Sequence, residues 1–171
     1  MKNNLKPNIY TKDIFSINYD KLKSNNINTL LFDIDNTIAP TKEKEPNEKT
    51  IKLINKLKKQ GFKIFIISNA LKRRALRFGN SLDLKTYYFS AKPLKRQYLR
   101  IIKENHLNKK NIAAIGDQIY TDIKGANNMD ITSILVDPIS KKESIITKIN
   151  RIKENHLIKK TKIIEKGTYY E

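Results

Sequence analysis

The sequence of 171 residues has no cysteine, no tryptophan and only 2 histidines. Disulfides, thiolate nucleophiles and Cys-based zinc sites are excluded, and a His-rich metal site has no ligands to draw on. Acidic residues are also scarce. Against 35 Lys and Arg stand 17 Asp and Glu, for a formal net charge of +18. No apolar run approaches the roughly 18–20 residues of a membrane span, and no secretory leader is visible, so a cytoplasmic protein is expected. The basic excess could draw anionic partners. The lysines are nevertheless spread along a chain rich in Asn and Ile, as a compositional bias would leave them, so charge alone names no partner.

What is present suffices for a core. Hydrophobic residues make up 39% of the chain, with 8 Tyr and 6 Phe, which argues against wholesale disorder. The length fits one domain over residues 1–171, with a docking arm at 1–27 and a basic tail at 158–171. Short apolar runs at 29–34, 63–67, 86–89, 111–115 and 131–136 read as strands. Between them, Ile51, Ile54 and Leu57, with Gly61 as the stop, predict a helix. A basic helix is expected at 71–80, and Leu94, Tyr98, Ile101 and Ile102 fall at helical spacing. Another helix is expected at 119–128, and Ile145, Ile149 and Ile152 mark a last one. Strands that are apolar throughout and alternate with helices predict an α/β fold, a mainly parallel sheet covered on both faces.

Ligands of such sheets bind beyond the carboxyl ends of the strands. Asp33-Ile34-Asp35-Asn36-Thr37 follows the first predicted strand, Ser68-Asn69 the second, Lys92-Pro93 the third, and Gly116-Asp117 the fourth, with Asp122 five residues on. Four carboxylates, one ammonium and one hydroxyl therefore meet at one edge. Like charges so gathered repel unless a cation sits among them, and oxygen-only ligands favour Mg²⁺. A magnesium ion beside a lysine suits phosphate. One carboxylate can attack phosphorus, and a second, two residues on, can protonate the leaving oxygen and then activate water.

This set resembles the haloacid dehalogenase (HAD) superfamily of phosphatases, with a Rossmann-like core. The resemblance implies that Asp33 is the nucleophile and Asp35 the general acid/base. It implies that Ser68, Asn69 and Lys92 hold the phosphoryl group, and that Asp33, Asp35 (through its carbonyl), Asp117 and Asp122 hold Mg²⁺. Leu5-Lys6-Pro7, Tyr10, Ile14-Phe15, Arg74, the stretch from Gly116 to Asp122, Gly125, Asn127, Ile134-Leu135-Val136 and residues 147–151 extend the likeness to the YqeG-type phosphatases over nearly the whole chain. A eukaryotic branch of that family converts phosphatidylglycerophosphate to phosphatidylglycerol in phospholipid biosynthesis. Arg74, Thr37 and Gln118 are candidate substrate contacts. The chain departs from the family pattern at Ala39-Pro40-Thr41, at Asn128 and at Asp130. Asn128 stands where Arg is expected and lacks its phosphate-matching fork.

Asp33 to Ser68 is an interval of 35 residues and Ser68 to Lys92 one of 24, both already filled, so no cap domain fits. An open site suits a substrate whose bulk stays outside, such as a lipid head group at a membrane. Membrane contact is then expected through Lys2, Lys6 and Lys12, the Lys72-Arg73-Arg74-Arg77 helix and the 159–166 tail. Loop 41–49 is a candidate flap. The alternative substrates are a soluble phosphate ester, a phosphoprotein or a nucleic-acid end. A different class altogether is an RNA- or ribosome-associated binding protein on the same scaffold. His106 and His156 read as surface residues with no chemistry.

Overall fold

The structure, a computed structural model, describes residues 4–140, 152–158 and 161–171. The expectations for Lys2, Ile145, Ile149, 147–151 and the first two residues of the 159–166 tail lie outside these. In chain order the elements are β1 (Ile9–Thr11), α1 (Tyr19–Ser24), β2 (Thr29–Phe32), α2 (Glu48–Lys59), β3 (Lys63–Ile67), α3 (Lys72–Leu82), β4 (Lys85–Tyr87), α4 (Arg96–Glu104), β5 (Ile112–Gly116), α5 (Lys124–Asn128) and β6 (Thr132–Val136). A 3-10 turn, Lys109–Asn111, leads into β5, and a π-helical turn, Ile119–Ile123, leads into α5.

The six strands form one sheet in the order β1-β6-β5-β2-β3-β4, and every pairing is parallel. From β2 the chain winds outward through β3 to β4. It then crosses back to the other side of β2 and winds outward through β5 to β6. The switch point lies between β2 and β5, where an open parallel sheet parts to form a crevice at its carboxyl edge.

Side-chain alternation explains why both faces are dry. In β2, Leu30 and Phe32 join the cluster containing Ile54 and Leu57 of α2 and Phe78 and Leu82 of α3. Leu31 points the other way, into the cluster holding Tyr98 and Ile101 of α4. Each such side chain contributes about 1.5–3 kcal/mol on leaving water, which is why every position of β2 is apolar or shielded. Helix α2 starts where the Asn47 side chain accepts from Thr50 N at 2.9 Å and ends ahead of Gly61, whose φ of +87° turns the chain into β3.

Four local expectations are corrected. The arm contains a strand: β1 runs along β6, and three residues are too few to announce an edge strand by pattern. Leu94, expected on the buried face of a helix, precedes α4 and is 62% exposed. Phe89, expected in a strand, lies beyond β4 with φ +46° and is exposed. The 119–128 helix is a π turn followed by a short α-helix. No helix among the described residues is long and apolar enough to cross a membrane. The intervals Asp33–Ser68 and Ser68–Lys92 hold α2 with β3 and α3 with β4, so no cap domain is inserted between them.

Candidate active site

Strands β2 and β5 are neighbours in register, Phe32 opposite Ile115, so the residues that follow them converge at the switch point. Asp33 and Asp117 arrive there from the two strands, and the π turn brings Asp122 back to them. All three carboxylates are buried, and each offers an oxygen within 4.8 Å of the others. Asp122 accepts from Gln118 N at 3.1 Å and packs against Gly116, where any Cβ would overlap its side chain. Thr37 Oγ sits between Asp33 Oδ2 (3.4 Å) and Asp117 Oδ1 (3.3 Å) and ties the two strand ends together.

Lys92 reaches this cluster from the loop after β4. Its Nζ donates to Asp33 Oδ1 at 2.7 Å and to Asp122 Oδ1 at 2.5 Å, and its side chain is 2% exposed. Asn69 fixes the backbone beneath it: Lys92 N donates to Asn69 Oδ1 at 2.8 Å, and Asn69 Nδ2 donates to Lys92 O at 3.3 Å. The Lys92–Pro93 peptide is cis. Ser68, buried at the end of β3, uses its hydroxyl to accept from Ala70 N at 3.1 Å.

The charges are unequal. Three buried carboxylates face one ammonium. Burial raises the Asp33 carboxyl to about 7, against the downward pull of Lys92 and with the help of Asp122. Burial alone would lower the Lys92 ammonium, but Asp122 and Asp33 outweigh it and hold the group above its usual range. Tyr98, buried and within electrostatic reach of Lys92, has its phenol pushed up by the same desolvation. Its ring and hydroxyl occupy the space that a side chain at Gly125 would need. The helical spacing marks Tyr98 only as core, and nothing in the sequence places it within reach of the lysine.

The remaining predicted residues lie around this centre. Asp35 is partly exposed and is gripped by Arg74 through Nε (2.8 Å) and Nη2 (2.7 Å). Arg74 also donates to Pro40 O at 3.2 Å and to Glu43 O, so it holds the 40–43 segment as well as the carboxylate. Thr37 is buried between Asp33 and Asp117. Gln118 contributes a backbone N–H to Asp122, and its residue is partly buried. His106 and His156 are exposed.

The profile of haloacid dehalogenase-like hydrolases matches residues 39–130, a span that opens just beyond Asp33 and Asp35. A Bacillus subtilis (strain 168) protein named "Probable phosphatase YqeG" is 31% identical over 152 residues, 89% of this chain and 88% of that one. Among solved structures, the 3-deoxy-D-manno-octulosonate 8-phosphate phosphatase of Yersinia pestis is similar with a TM-score of 0.54 and 18% identity, over 70% of this chain and 69% of that one. The corresponding phosphatase of Moraxella catarrhalis gives 0.50 and 17%, over 60% and 64%. At such identities the solved structures speak for the fold, while the profile and the Bacillus relative speak for descent. Taken with the parallel sheet they agree, and the chain belongs to the haloacid dehalogenase-like hydrolases and is a phosphatase among them.

Proposed function

We propose that residues 1–171 form one catalytic unit that hydrolyses phosphate monoesters with Mg²⁺, through an aspartyl-phosphate on Asp33. We further propose that the substrate is the head group of phosphatidylglycerophosphate, giving phosphatidylglycerol. The observation that carries the chemistry is the contact of the Lys92 ammonium, the one buried lysine among the described residues, with two of the three buried carboxylates of this cluster. The donor set is oxygen only, and it holds more negative charge than Lys92 neutralises, which fits a hard divalent cation. Asp33, Asp117 and Asp122, with the Asp35 carbonyl, would hold it. When bound, magnesium supplies positive charge to the phosphoryl oxygens. The Moraxella phosphatase of the same fold was solved with magnesium and phosphate ions, which supports this reading.

The chain's own residues supply the rest. A carboxylate oxygen of Asp33 attacks phosphorus, and the bond from phosphorus to the ester oxygen breaks. Asp35 gives its proton to that oxygen as the alcohol leaves. The Asp35 carboxylate then takes a proton from water, whose oxygen attacks phosphorus and breaks the bond to Asp33, releasing phosphate. Lys92, the Ser68 hydroxyl and Asn69 steady the phosphoryl oxygens. The lipid assignment is supported by the absence of an inserted cap and by the +18 charge, which favours an anionic surface. The test is phosphate release from phosphatidylglycerophosphate in mixed micelles with Mg²⁺, wild type against Asp33→Asn. Release by the wild type alone supports both the nucleophile and the substrate. Turnover of soluble esters with none of the lipid would keep the chemistry and overturn the lipid.

A further inference from the structure

Exposed large apolar side chains are not scattered evenly over this protein. Of seven among the described residues, Leu71, Phe89, Leu94 and Ile139 lie on loops leaving the carboxyl ends of β3, β4 and β6. That is the edge carrying Asp33 and Lys92. Single exposed apolar residues mean little, but a group around one crevice marks a contact surface. Three of the four belong to two loops fastened together. Phe89 N donates to Ala70 O at 3.4 Å, and Asn69 and Lys92 exchange two hydrogen bonds. Leu71, Phe89 and Leu94 are therefore carried on loops tied to each other and to the backbone of Lys92. At φ +46° Phe89 has a backbone rarely adopted by a bulky residue, and its ring stays outside while Ser90 beside it is fully buried.

The same loops are basic. Lys72, Arg73, Lys95 and Arg96 are exposed next to these side chains, and no acidic residue occurs in 69–82 or 84–103. Asp35 and Glu45, from the segment packed against α3, are paired with Arg74 and Arg77. Apolar tips flanked by cations, with no anion in the same two loops, are complementary to an anionic lipid surface. There the tips enter the head-group layer and the cations meet phosphates.

We propose that the rim formed by Leu71, Phe89 and Leu94, with Lys72, Arg73, Lys95 and Arg96, docks the protein on an anionic bilayer with the Lys92–Asp33 crevice facing the lipid. This gives the lipid substrate proposed above a route to the site and in that respect rests on that reading, but the docking is measured without turnover. It also moves the contact from the arm and tail to the mouth of the site.

The full chain is sedimented with vesicles of phosphatidylcholine alone, or with a third of the lipid replaced by phosphatidylglycerol, wild type against the triple variant Leu71→Ser, Phe89→Asn, Leu94→Ser. Each substitution suits its backbone: serine at a helix start, asparagine at positive φ, serine in a loop. The wild type is expected to bind the anionic vesicles and not the neutral ones. The triple variant should bind them at least about tenfold more weakly while hydrolysing soluble p-nitrophenyl phosphate at the wild-type rate and melting at the same temperature. Equal binding by the variant, no binding by the wild type, or a wild-type dimer that the variant loses would overturn the proposal. Vesicle binding through the rim with no phosphate released from phosphatidylglycerophosphate would leave the docking face standing and remove the lipid substrate.

Discussion

Arg74 holds the carboxylate of Asp35 with two nitrogens, at 2.8 and 2.7 Å, from a helix that begins four residues after Ser68. The same guanidinium binds the carbonyls of Pro40 and Glu43. The proposed acid/base is thus aimed by a residue that also fastens the segment beyond it. Arg74→Ala is expected to lower kcat on a small ester by about ten- to a hundredfold with little change in KM. Limited proteolysis near residues 41–47 should accelerate in parallel. Arg74→Lys should restore little, since an ammonium cannot supply the planar fork.

Lys92 is the cation on which the buried carboxylates of Asp33 and Asp122 depend. Lys92→Met should abolish turnover and, in metal-free protein, cost about 3–5 kcal/mol of stability, because two buried carboxylates are left without their partner. Added Mg²⁺ should recover much of that loss, read as a larger rise in melting temperature for the variant than for the wild type.

The raised Asp33 carboxyl gives a pH dependence of definite sign. Its folded-state value lies above the unfolded one, so its contribution to stability is complete below about 4 and disappears as pH rises toward about 7. Metal-free wild type should therefore lose stability across that window, by an amount on the order of a few kcal/mol. Asp33→Asn should flatten the curve. Affinity for Mg²⁺ should increase over the same interval, since the metal competes with the proton. Thermal melts in chelator at successive pH values, with and without magnesium, measure both.

Gly116 leaves room for Asp122. A methyl there would overlap the Asp122 side chain. Gly116→Ala should displace that carboxylate from Lys92 and from the acidic cluster. The expected result is a magnesium requirement raised by about ten- to a hundredfold, seen as a shift in the metal titration of activity.

Much of the centre can be read from the chain because Asp33, Ser68 and Asp117 directly follow apolar strands, with Lys92 and Asp122 a few residues beyond theirs. The runs around Leu30 to Phe32, Ile64 to Ile67 and Ile112 to Ile115 have no polar face, which requires a covered parallel sheet and a crevice at its carboxyl edge. What could not be read depends on contacts distant in sequence. Nothing local indicates that Arg74 turns toward Asp35, that Tyr98 comes within electrostatic reach of Lys92, or that Ile9 to Thr11 pair with β6. Phe89 and Leu94 carry the hydrophobicity of core residues, and only backbone geometry places them outside. Periodicity reports what a side chain prefers, and at these two positions the loop overrides that preference.

The position of β1 has a consequence for how the chain acquires its structure. It is made long before its partner: Asn8 bonds to Ser133, 125 residues downstream, and Ile9 lies beside Ile134. The edge strand must remain unpaired on the ribosome while the whole central sheet is made, and closing so long a loop slows its capture. The Tyr10–Tyr170 bridge then fastens a still later part of the chain to that same strand. Capture of β1 therefore waits until β6 has been made, and during elongation the nascent chain exposes an apolar sheet margin that a chaperone can recognise.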